Sequence, residues 1–79
     1  METTYWMKGR IVYRLKDNVI PQIWNEIEQG WEPSGRLVGL IVGGDSSLDQ
    51  VSASQAEAES PGSTAEDAKE IETQSYRVF

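Results

Sequence analysis

The segment Tyr5–Lys16 constrains the fold more than any other. Its odd positions are Tyr5, Met7, Gly9, Ile11, Tyr13 and Leu15, and its even positions are Trp6, Lys8, Arg10, Val12, Arg14 and Lys16. Side chains of a β-strand point alternately to opposite faces. A strand near residues 5–16 therefore has an apolar odd face and a cationic even face. Gly9 opens an alternative, a two-residue turn at Lys8-Gly9 that splits the segment into a hairpin of residues 3–7 and 10–16.

The rest is read by the same spacing rules. Asp17 and Asn18 are N-cap residues, and Pro21 fits a first helical turn. Ile20, Ile23, Trp24, Ile27 and Trp31 recur at i, i+3, i+4, i+7 and i+11, so a helix is expected near residues 19–29, stopped by Gly30. Glu32-Pro33-Ser34-Gly35 is a turn. The apolar run Arg36–Val42 reads as a strand buried on both faces, ended by Gly43-Gly44. Residues 45–62 are rich in serine and alanine, hold a poor apolar stripe (Leu48, Val51, Ala56), and are expected to be a flexible linker or frayed helix. Ser63-Thr64 followed by Glu66-Asp67 resembles a capping box and predicts a short helix near residues 64–73. Residues 74–79 return to strand character. The expected architecture is α+β: one small domain, residues 1–79, with a three-stranded sheet and helices on one face.

Charge is unevenly divided. Residues 1–43 carry five bases and five acids, while residues 44–79 carry two bases and eight acids, so the whole net charge of −6 belongs to the second half. Five of the seven aromatic residues lie in the first 31 positions. The chain has no cysteine and no histidine, which removes disulfides, thiolate ligands and the commonest general base at neutral pH. Serine and threonine have no histidine to activate them. The paired carboxylates lie in polar stretches that give no reason for separated pKa values. Gly39-x-x-x-Gly43-Gly44 lacks the lysine and hydroxyl of a phosphate loop. An enzyme is not expected, nor a metal or cofactor. No secretory signal or membrane-length apolar run is present, and the expected location is the cytoplasm.

What remains is binding. Trp6, Lys8, Arg10, Arg14 and Lys16 on one strand face would form an anion-binding surface if free. They would otherwise serve as counter-charge for the acidic half or guard an edge strand. Trp31, just beyond the helix stop, is expected to be partly exposed and available to a partner. Glu66, Asp67, Glu70 and Glu72 are the acids placed to steer an encounter. The expected function is a protein–protein interaction module, an adaptor, accessory subunit or inhibitor that masks a surface of a larger assembly. It would dock through the edge of the first strand. One alternative is an acidic nucleic-acid mimic that inhibits a nucleic-acid-processing or defence complex, a profile of size and charge shared with phage-encoded inhibitors of the anti-CRISPR type. Another is a single-strand nucleic-acid binder through the basic face, disfavoured by the net charge. Pairing of an edge strand between two copies would give a homodimer.

Overall fold

Gly9 breaks the alternating segment in two. In the computed structural model, which describes residues 2–71, β1 (Thr4–Lys8) and β2 (Ile11–Lys16) form a hairpin in which Lys8 faces Ile11. The turn is Gly9-Arg10, with Gly9 at a φ of +63°. A tight hairpin turn with a positive φ at its first central position favours glycine there. The hairpin alternative thus holds, one residue later than the sequence suggests, and the single strand over residues 5–16 does not.

β3 (Ile20–Asn25), β4 (Gly30–Pro33) and β5 (Leu48–Val51) complete a five-stranded sheet in the order β4-β3-β2-β1-β5, with every ladder antiparallel. Two helices, α1 (Arg36–Val42) and α2 (Ala53–Glu59), flank it. The molecule is a small α+β domain, but among the described residues the sheet has five strands where three were expected of the whole chain.

The helix expected near residues 19–29 is a hairpin. Asp17 and Asn18 take left-handed φ values of 54° and 58° and turn the chain from β2 into β3. Asp and Asn serve equally as helix caps and as turn residues that tolerate this region, so their presence did not discriminate. Val19, Ile20, Ile23, Trp24 and Ile27 are β-branched or aromatic, the residue types that suit a pleated surface. Pro21 sits next to the start of β3, and its carbonyl accepts from the Ser34 N–H at 3.0 Å beyond the end of β4. There its missing N–H breaks no ladder bond.

The strand expected at residues 36–42 is α1. Leu37 is fully buried, Leu40 and Ile41 are half-buried, and Val38 and Val42 are exposed. That is the 3.6-residue stripe, hidden by apolar residues on both sides of it. Residues 45–62 contain β5 and α2. Ser52 caps α2 in a reciprocal box with Gln55, whose side chain accepts from the Ser52 N–H at 3.0 Å. The helix expected near 64–73 does not form over residues 64–71, which make turns and a single bridge. The Thr64 hydroxyl, read as a cap, instead donates to Glu57 at 2.7 Å. The strand expected near 74–79 lies outside the described residues.

Residues opposite one another across a ladder share a face. One face carries Tyr5, Met7, Val12, Trp24, Trp31 and Val51, and packs with Ala56 of α2 and Ala68 into the main core. The other carries Trp6, Tyr13 and Ile23, and α1 packs against it at β3. Tyr13 and Leu37 are both fully buried.

Candidate interaction surfaces

The hairpin changes the parity of the cationic row. Even residues of β1 share a face with odd residues of β2, so Lys8 lies on the side opposite Arg14 and Lys16, and Arg10 is in the turn. The common basic face expected from the sequence is absent. Nor is β1 an edge, since β2 and β5 flank it. Each base finds an acid from the second half of the chain. Lys8 pairs with Asp45 at 2.9 Å, Arg10 with Glu59 at 3.7 Å, Arg14 with Glu70 at 3.7 Å, and Lys16 with the same Glu70 carboxylate. The row is internal counter-charge. Lys8, Arg14 and Lys16, buried or half-buried, tie the acidic half to the sheet, while Arg10, its side chain 92% exposed, makes only a loose surface pair with Glu59.

The densest of these groups surrounds Arg14. Its side chain is only 8% exposed. Its Nε–H donates to Gln22 Oε1 at 2.6 Å, and its guanidinium lies 4.4 Å from the Trp31 ring centroid. Stacking on an aromatic face and a fixed fork of donors are what guanidinium does better than an ammonium. Burial pulls the Arg14 pKa down, and the Glu70 carboxylate opposes that pull. Gln22 Nε2 also donates to Glu70, at 3.3 Å. Trp31 is not exposed as expected. It is fully buried, its Nε1–H donates to the Ser63 carbonyl at 2.8 Å, and it meets Trp24 edge-on at 5.2 Å. Trp6 is half-buried. Glu66 and Asp67 are exposed neighbours in a turn, apart from Glu70, and Glu72 lies outside the described residues.

The surface that sequence reasoning missed lies where the β1–β2 and β3–β4 turns meet. A cleft of about 330 Å³ opens there between Arg10, Ile11, Ile23, Trp24, Glu26 and Ile27. Asn25 Oδ1 accepts from the Glu28 N–H at 2.9 Å, and Gln29 closes the turn at a φ of 57°. This holds Ile27 outward, 92% exposed. An isoleucine at the tip of a hairpin was the available signal, concealed by its fit to a helical stripe. Among the described residues no group of three acidic side chains is placed to hold a metal ion, and no helix is long and apolar enough to cross a membrane.

Three carboxylates sit below their ordinary range. Asp45 is held there by hydrogen bonds from Ser47 and from the Lys8 ammonium. Glu57 is held by the Gly62 N–H and by both donors of Thr64, and Glu70 by the Lys16 ammonium against the effect of burial. A carboxyl whose folded pKa is depressed binds its proton more readily in the unfolded chain. Its stabilisation is therefore complete above the unfolded pKa, about 4, and is lost as pH falls through the folded value. The melting temperature should be flat above about pH 5 and decline steadily below about pH 4. Circular dichroism melts across this range check it. Glu57→Gln should show a shallower decline, and a melting temperature that rises on acidification would contradict the assignment.

Comparison of the chain with protein-family models, with curated proteins and with solved structures finds no match.

Proposed function

We propose that the protein is a non-catalytic protein–protein interaction module whose docking surface is the cleft at the Ile27 end of the sheet. The observation that carries this is the exposure of Ile27 beside Ile11 and Ile23, an apolar group that the fold holds out instead of burying. Apolar clefts rimmed by polar groups mark binding sites, and about 330 Å³ is enough for one or two large side chains. Arg10, its side chain 92% exposed, and Glu26 supply one charge of each sign at the rim. The occupant that fits is an apolar side chain of a larger protein, flanked there by residues of both signs. Of the anchors expected from the sequence, Arg10 is the one among the described residues that lines this cleft.

A photo-crosslinking amino acid at position 27, compared with one at Val38 on the exposed side of α1, tests the reading in the cells that make the protein. A discrete adduct from position 27 alone identifies the partner. With that partner purified, calorimetry should show Ile27→Asp weakening binding by about 10- to 100-fold, the loss of one buried isoleucine, with no drop in melting temperature. Equal adducts from both positions, or unchanged affinity, would reject the cleft.

A further inference from the structure

The sheet already holds one short segment in the way that a peptide-binding domain holds its ligand. Lys69-Glu70-Ile71 runs parallel to the outer edge of β4, in a sheet whose other ladders are all antiparallel. The Trp31 N–H donates to the Lys69 carbonyl at 2.8 Å, and the Ile71 N–H donates to the Trp31 carbonyl at 2.6 Å. Side chains then engage separate features of the sheet. The Glu70 carboxylate is clamped by Arg14, Lys16 and Gln22. Ile71 lies over Gly30, where an added Cβ would stand 3.0 Å from its Cδ1. Lys69 reaches Glu28 at 3.6 Å.

Everything on the receiving side belongs to β2, β3, β4 and the β3–β4 turn. Arg14 has partners besides Glu70: its Nε–H donates to Gln22, and its guanidinium lies over the Trp31 ring. The segment itself is weakly held: two main-chain bonds, a parallel pairing that is slightly less stable per residue, and a carboxylate whose side chain is 45% exposed. Edge addition of this kind takes affinity from main-chain bonds and selectivity from alternate side-chain sites.

We propose that the β4 edge, with the Arg14–Lys16–Gln22 clamp and the Gly30 notch, is a receptor for an extended acidic peptide from a partner protein. The recognised chemistry is a carboxylate followed by a branched aliphatic residue, and residues 69–71 occupy the site as an exchangeable intramolecular stand-in. The site is independent of the Ile27 cleft and does not need that reading. A partner peptide must displace the chain's own segment, so its apparent affinity falls with the fraction of molecules in which the edge is open.

Fluorescence anisotropy at low salt tests this with the full chain and a labelled hexapeptide, Ala-Lys-Glu-Ile-Glu-Thr. Glu70→Ala weakens the stand-in and should bind the peptide about tenfold more tightly than the unmodified chain. Replacing the first glutamate of the peptide by glutamine should remove that gain, as should adding Lys16→Ala to the protein. If Glu70→Ala does not fold, Ile71→Ser empties the notch and replaces it. A folded variant that binds no better than the unmodified chain, or that takes the glutamine peptide equally well, overturns the proposal.

Discussion

Trp31→Ala should leave the chain largely unfolded at room temperature. Trp31 is the largest fully buried side chain, and its contacts reach three other strands and the loop after α2. Its ring meets Trp24 on β3, Tyr5 on β1 and the guanidinium of Arg14 on β2. Its indole N–H holds the loop at Ser63, and its main chain holds residues 69 and 71. Truncating a buried tryptophan costs about 3–5 kcal/mol. A domain of this size without disulfide or metal has roughly 3–5 kcal/mol in total. The loss therefore removes nearly the whole margin. It also strips Arg14 of its aromatic partner and leaves the Ser63 carbonyl without its donor. Chemical denaturation followed by far-ultraviolet circular dichroism measures the effect. Trp31→Phe keeps most of the apolar volume but loses the indole hydrogen bond, so it should fall between the two. An alanine variant within about 1 kcal/mol of the parent would show that the core does not depend on this ring.

The two kinds of sequence signal fared differently. Gly9 and Asp17-Asn18 sit at real chain reversals, because a turn's demands on φ can be met by few residue types. Gly30, read as a left-handed helix stop, instead begins β4, and the left-handed residue of that turn is Gln29. The alternation around Gly9 was real as well, but a two-residue turn moves every later residue to the other face. A correct strand period thus gave an incorrect basic surface. Between Ile20 and Trp31 the helical spacing was a coincidence of two strands and a four-residue turn. In Arg36–Val42 the reverse occurred, since a run of apolar residues carries no period to read. The counter-charge role of Lys8, Arg10, Arg14 and Lys16 was legible from charge balance alone, although their partners Asp45, Glu59 and Glu70 were not. Those pairings depend on β5 placing Asp45 beside Lys8 and on the loop after α2 crossing the sheet. The capping box that forms is Ser52 with Gln55, whereas the sequence reading placed one at Ser63-Thr64. The candidate surfaces were less legible still. Ile27 looked like core, and the Gly30 notch is defined by an isoleucine 41 positions later in the chain.

Leu37→Ala should destabilise the domain by about 2–4 kcal/mol, the usual cost of emptying a buried leucine site. α1 has seven residues, no side-chain cap at its start and no charge at either end that favours it. A helix this short has no independent stability in water, so docking must maintain it. Leu37 is its one fully buried residue, with Leu40 and Ile41 only half-buried beside it. Two outcomes are conceivable when that anchor is cut back. Either α1 frays alone over an intact sheet, or the sheet fails with it. The second is expected, because α1 packs on β3 and undocking it would uncover Ile23 on a face of the sheet that also carries the fully buried Tyr13. Urea denaturation should therefore give one transition, shifted to lower midpoint with an unchanged slope. Leu37→Met, which conserves volume, should cost less than about 1.5 kcal/mol. A variant whose sheet signal persists while helical signal is lost at low urea would mean that α1 is an appendage, and that the α2 face of the sheet sustains the fold without it.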